Sequence, residues 1–143
     1  MEFGLEGKGV IVTGASRGIG FAIAEAFAAE GANVSICGRT EGPLNAAKDK
    51  LASHGGTVHA STCDVADAAS LESYINAAEA ALGGLNVLVN NPSGFGRTDD
   101  EDGWQKSIDV DLMATLRGSW QAIPMLEKNG GGAIIHISTI SAL

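Results

Sequence analysis

A chain of 143 residues, 45% of them hydrophobic, is long enough for one domain with a buried core and too apolar to be a disordered chain. Nine basic residues against 17 acidic ones give a net charge of −8, which repels a phosphate backbone and sets nucleic acid aside as a partner. Met1 to Gly4 carry no leader and no apolar run nears membrane-spanning length, so a cytoplasmic protein with no membrane partner is expected.

In chain order, Gly9 to Thr13 is a short apolar run, read as a buried strand. Ile19, Ala22, Ile23, Ala26 and Phe27 then recur at helical spacing, which predicts a helix with that face inward and a stop at Gly31. Val34 to Cys37 read as a second strand. Leu44, Ala47 and Leu51 mark a second helix with Pro43 in its first turn, broken by His54-Gly55-Gly56. Thr57 to Ser61 is a weaker third strand. Asp67 is a candidate N-cap for a helix that turns Leu71, Tyr74, Ile75, Ala78 and Leu82 inward and ends at Gly83-Gly84. Leu85 to Asn90 is a fourth strand, followed by a glycine- and acid-rich loop up to Gly103. Trp104, Ile108, Leu112 and Leu116 predict a long helix, broken at Asn129-Gly130-Gly131-Gly132. Ala133 to Ile137 is a fifth strand.

Continuous apolar strands alternating with helices define an α/β chain. Right-handed crossovers make it a Rossmann-type doubly wound parallel sheet, a three-layer αβα arrangement. Residues 1–143 form one domain, cut short after about the fifth strand. Cys37 and Cys63 fit neither a metal pattern nor a disulfide framework and read as small core residues. His54, His59 and His136 are scattered, with no metal spacing, and read as structural.

The segment Thr13-Gly14-Ala15-Ser16-Arg17-Gly18-Ile19-Gly20 stands where the first strand ends and the first helix begins. Glycines there let backbone N–H groups approach a pyrophosphate, and the helix N-terminus adds positive potential. Gly14, Ser16, Arg17, Gly18, Ile19 and Gly20 are therefore candidate cofactor residues. The spacing Gly-x-x-x-Gly-x-Gly, with the preceding Thr, resembles the short-chain dehydrogenase/reductase family of classical type, whose Thr-Gly-x-x-x-Gly-Ile-Gly motif is met without a mismatch. The resemblance runs over nearly the whole chain. Asp64-Val65 is similar to the family's adenine-contacting pair. Asn90-Asn91 is similar to the start of its Asn-Asn-Ala-Gly motif, which departs here to Asn90-Asn91-Pro92-Ser93-Gly94.

An acidic residue at the end of the second strand would bind a ribose 2′-hydroxyl and repel a 2′-phosphate. Gly38 occupies that place, Arg39 follows it, and Arg17 lies in the glycine loop. Two guanidinium groups suit a 2′-phosphate, so NADP(H) is favoured over NAD(H).

The resemblance also implies a reaction: hydride transfer between the nicotinamide and a small-molecule carbonyl or alcohol. Tyr, Lys, Ser and Asn are the family's working groups. Its Ser position falls on Thr139, with Ser138 beside it and Ser141 a further hydroxyl, and its Asn position falls on Asp111. The Tyr-x-x-x-Lys pair is absent, because the only tyrosine, Tyr74, has no Lys four residues on. An N-terminal part of an oxidoreductase is expected, inactive by itself and homo-oligomeric when complete. A nucleotide-binding relative without turnover is the alternative, favoured by Asp111, Thr139 and Pro92.

Overall fold

In the computed structural model, which describes residues 2–94 and 96–139, every strand is parallel. The strands are β1 (Gly9–Val12), β2 (Asn33–Gly38), β3 (Val58–Thr62), β4 (Val87–Asn90) and β5 (Ala133–His136). Helices α1 (Gly18–Ala29), α2 (Glu41–Ala52) and α3 (Ala68–Leu82) make the first three crossovers. The fourth is one helical run in three parts: α4 (Glu101–Lys106), a π-helical stretch (Ser107–Met113) and α5 (Ala114–Lys128). The sheet order is β3-β2-β1-β4-β5. Direction reverses between β1 and β4, the topological switch point where open α/β sheets bind ligands.

Alternation along the strands divides the core between the two faces. Val10, Val12, Val34, Ile36 and Val89 pack with α1 and α2 through Ala24, Ala28, Leu44, Ala47 and Leu51. Ile11 and Leu88 pack on the other face with α3 and α5 through Leu71, Ile75, Ala78, Ala122 and Leu126. The Rossmann-type three-layer reading therefore holds. Asp67 caps α3 as expected, its Oδ1 accepting the Ser70 N–H at 2.8 Å.

One helix face differs from the sequence reading. On α1 the buried positions are Gly20, Ala24 and Ala28, whereas Ile19 is 66% exposed and Ala22 and Ala26 also face solvent. Small residues lie nearest the sheet because they allow close approach, and Phe21, Ile23 and Phe27 flank them. The same rule governs the long helical run. Trp104 is 62% exposed and Leu112 53%, while Ala114, Gly118, Ala122 and Leu126 are buried. Among the described residues no helix is long and apolar enough to cross a membrane.

Candidate functional site

All five strands point their carboxyl ends toward one edge of the sheet, bringing Thr13, Gly38, Thr62, Asn90 and His136 into line. The residues singled out in the glycine, adenine and Asn motifs lie at that edge, in the strand ends, the loops leaving them and the first turn of α1.

The glycine loop is pinned from two sides. Ala15 N–H donates to the Cys37 carbonyl at 3.0 Å, which ties the loop to β2. Asn91 ties it to β4: its Nδ2 donates to the Gly14 carbonyl and its N–H to Thr13 Oγ1, both at 3.1 Å. A Cβ on Gly20 would collide with the Gly14 carbonyl and the Asn91 amide, so this glycine is required by packing. Gly18 is different. Its φ is +61°, and a Cβ there would meet nothing within 4 Å. The loop thus keeps open the space in front of the first turn of α1. Arg17 is the N-cap of α1 and makes no side-chain cap, and that first turn carries no acidic residue. Open backbone, an uncapped helix N-terminus and no competing carboxylate fit the pyrophosphate of a dinucleotide.

Beside this loop, Ser16 approaches Gly38 so closely that a Cβ on Gly38 would lie 3.2 Å from the serine Cβ and Oγ. The tip of β2 therefore presents no side chain of its own. Arg17 and Arg39 are exposed, and neither makes an ion pair with another described residue. At the tip of β3, Asp64 is exposed and its Oδ1 accepts the Ala66 N–H at 3.0 Å, while Val65 packs on the core. This turn presents backbone and Val65 at the edge, a surface suited to a flat base.

Asn90 is turned inward. It is 2% exposed, and its Nδ2 lies 3.2 Å from both Ser119 Oγ and His136 Nδ1. Its side chain thus joins β4, β5 and α5, whereas Asn91, which the sequence reading left out of the site, is the residue that grips the glycine loop. Its signal was positional: it follows a strand end directly opposite Gly14.

Asp111 lies in the π-helical stretch and is exposed. Its Oδ1 accepts the Gly94 N–H at 2.8 Å, so the carboxylate anchors the Pro92 loop. Ser138 and Thr139 follow β5 on the same edge and are exposed. Ser141 lies outside the described residues. Tyr74 is buried against β2, and burial pushes its phenol well above the ordinary tyrosine range, which suits a core hydroxyl rather than an acid–base group.

Comparison with known proteins agrees with this geometry. The family model described as short chain dehydrogenase matches residues 8–143. The chain is 38% identical over 141 residues to 2,5-dichloro-2,5-cyclohexadiene-1,4-diol dehydrogenase LinX of Sphingobium indicum, covering 95% of this chain and 56% of that protein. It is 32% identical over 141 residues to 7α-hydroxysteroid dehydrogenase of Escherichia coli, covering 96% and 55%. Among solved structures, L-sorbose reductase from Gluconobacter frateurii, complexed with NADPH and L-sorbose, superposes with a TM-score of 0.94 at 34% identity, over 100% of this chain and 56% of that one. A 7α-hydroxysteroid dehydrogenase complexed with NADH and 7-oxo glycochenodeoxycholic acid gives 0.90 at 32% identity, over 96% and 55%. The chain spans about half the length of the curated relatives it matches. With the glycine loop, the strand order and these matches in agreement, the chain belongs to the short-chain dehydrogenase family.

Proposed function

We propose that this chain is the dinucleotide-binding part of an oxidoreductase that interconverts a carbonyl and an alcohol on a small molecule in the cytoplasm, using NADP(H) in preference to NAD(H). One observation carries the cofactor reading: Gly18, at φ +61° with open space where a side chain would stand, is the first residue of α1, whose N-cap Arg17 makes no side-chain cap. The backbone of Gly14, Ser16, Arg17, Gly18, Ile19 and Gly20 would hold the pyrophosphate, and Asp64 and Val65 the adenine. The preference for NADP(H) is supported by Gly38, where a carboxylate is missing, by Arg39 directly after it and by Arg17 in the glycine loop, both exposed. Relatives do not decide the preference, since one similar structure holds NADPH and another NADH.

When bound, a nicotinamide dinucleotide supplies or accepts the hydride. The hydroxyls of Ser138 and Thr139 are suited to orient a carbonyl oxygen at the same edge, because each is able to donate a hydrogen bond to it. Asp111 holds the neighbouring loop through Gly94. Asn90 would act indirectly, by fixing the ends of β4 and β5 through Ser119 and His136.

The test is calorimetric titration with NADP(H) and NAD(H), repeated on Gly18→Val with folding checked by circular dichroism. Tighter binding of NADP(H), lost in a folded Gly18→Val chain, is the expected result. Equal curves for the two cofactors would overturn the preference, and unchanged affinity in Gly18→Val would overturn the site.

A second reading, nucleotide binding without turnover, is favoured by one contact. The Asp111 carboxylate is an acceptor for Gly94 N–H, where the family carries an Asn able to donate as well. Oxidation of NADPH by the full-length protein against a panel of ketones and aldehydes separates the readings: turnover excludes the second.

A further inference from the structure

Where β4 and β5 end, three elements meet in one chain of hydrogen bonds. Asn90 closes β4, His136 closes β5 as its register partner, and Ser119 faces Asn90 from α5. The amide nitrogen of Asn90 stands between the other two, 3.2 Å from Ser119 Oγ and 3.2 Å from His136 Nδ1. Asn90 is 2% exposed, so this amide finds its partners inside the protein.

The direction of each bond follows from the serine. Ser119 Oγ donates its one proton to the Thr115 carbonyl at 2.7 Å, and that carbonyl has no proton to return. Ser119 Oγ therefore meets Asn90 as an acceptor, and the amide atom facing it is the nitrogen. Turning the amide over would set two oxygens against each other, or take the serine proton out of its 2.7 Å bond. It would also turn the nitrogen toward Gly118, where Oδ1 now lies 3.0 Å from the place a Cβ would occupy. With Nδ2 fixed as a donor, His136 Nδ1 is left to accept. A ring nitrogen that accepts carries no proton, so the ring proton sits on Nε2.

The backbone closes the same joint. Ile137 N–H donates to the Asn90 carbonyl at 2.9 Å. Asn90 thus holds the end of β5 twice, through its side chain at His136 and through its main chain at Ile137. Ser138 and Thr139 are the next two residues.

We propose that His136 is a positioning residue: held by Asn90 as the Nε2–H tautomer, it fixes the end of β5 and through it the hydroxyls of Ser138 and Thr139, a role that rests on the carbonyl–alcohol reading given above. Its effect falls on turnover rather than on dinucleotide binding, because the glycine loop is tied separately, to Asn91 and to the Cys37 carbonyl. A displacement of about 1 Å at a group that orients the substrate is enough to cost on the order of 100-fold in rate. Only a side chain with an acceptor at the Nδ1 position can take the place of the imidazole. Asparagine offers its Oδ1 there, whereas leucine leaves one Asn90 N–H without a partner.

The experiment uses the full-length protein with nitrogen-15 histidine, read by long-range proton–nitrogen NMR at about pH 8, above the ordinary histidine range. His136→Asn identifies the His136 signals. Steady-state oxidation of NADPH, with a ketone or aldehyde that the protein reduces, is measured beside it. Wild-type His136 should show an unprotonated Nδ1 and a protonated Nε2. Asn90→Asp, which sets an acceptor in place of the donor, should move the proton to Nδ1 and lower kcat. His136→Leu should lower kcat about ten-fold or more with the KM for NADPH changed less than about two-fold, and His136→Asn should restore kcat to within about three-fold of the wild type. A proton on Nδ1 in the wild type, or a tautomer that Asn90→Asp leaves unchanged, would overturn the tautomer assignment. Wild-type kcat in His136→Leu, a rise in KM that matches the fall in kcat, or a His136→Asn protein as slow as His136→Leu would overturn the positioning role. Should His136→Leu fail to fold by circular dichroism, the kcat of Asn90→Asp decides that role, and a wild-type value overturns it. A wild-type protein that binds NADPH and turns over nothing would overturn the carbonyl–alcohol reading, while the nitrogen signals still decide the tautomer.

Discussion

Ser35 is fully buried in the middle of β2, with His59 Nδ1 at 2.8 Å and the Tyr74 hydroxyl at 2.7 Å. Partial burial, and then the nearby Lys48 charge, lower the pKa of His59 from its ordinary 6.5. The fold therefore favours the neutral ring, and the unfolded chain takes up its proton first as pH falls. Stability from this group is complete above about pH 6.5 and declines below it, toward the lowered folded value. Melting temperatures recorded between pH 7.5 and 5.5 should drop more steeply for the wild type than for His59→Gln; parallel curves would contradict this. At the cofactor edge, Arg39→Asp removes one charge-assisted contact and restores the carboxylate missing from the tip of β2. Such a contact contributes about 1.5–3 kcal/mol, so NADP(H) affinity should fall about ten-fold or more while NAD(H) affinity does not. Parallel losses for both cofactors in calorimetry would contradict it. At this scale the sequence discloses which residue types stand at a strand end, as with Gly38 and Arg39. It does not disclose which way adjacent side chains turn. Asn90 and Asn91 are identical in type, yet one enters the core toward Ser119 and the other grips Gly14, because strand alternation sends neighbours to opposite faces.

The helices show where periodicity succeeds and where it misleads. α3 behaves as its pattern requires: Leu71, Tyr74, Ile75, Ala78 and Leu82 are buried and Asp67 caps it. Replacing that cap with alanine leaves the Ser70 N–H without its partner and should cost about 1 kcal/mol in chemical denaturation. On α1 and α5 the residues buried against the sheet are mostly small, Gly20, Ala24 and Ala28 on the first and Ala114, Gly118 and Ala122, with Leu126, on the second. Close packing explains the choice. A Cβ on Gly118 would stand 3.0 Å from Asn90 Oδ1, so no larger residue fits without displacing the buried amide. Gly118→Val should therefore cost about 1–3 kcal/mol by overpacking, read as a lower denaturation midpoint with an unchanged slope. An unchanged midpoint would mean that α5 shifts to make room. Hydrophobicity alone ranks Ile19 above alanine and glycine, and so on α1 it selects the wrong line.

For the whole molecule, the large side chains of the long helical run form surface. Trp104, Ile108, Leu112 and Trp120 are exposed along one helical run, an apolar patch of a kind that a second subunit covers. The full-length protein should be a homo-oligomer by light scattering at micromolar concentration, and Ile108→Glu with Leu112→Glu should shift it toward monomer. A monomeric wild type would contradict this. The α/β class, the parallel sheet and the position of the glycine loop were determined by sequence alone, because alternating strand and helix patterns with one glycine-rich strand-to-helix turn admit few topologies. Two things were decided only in three dimensions: the inward line of α1 and α5, and the hold of Asn91 and Asp111 on neighbouring loops. Each depends on residues brought together from separate elements. Local pattern records the propensity of a segment, whereas backbone separation and strand register, which settle these contacts, arise only when the layers close on one another.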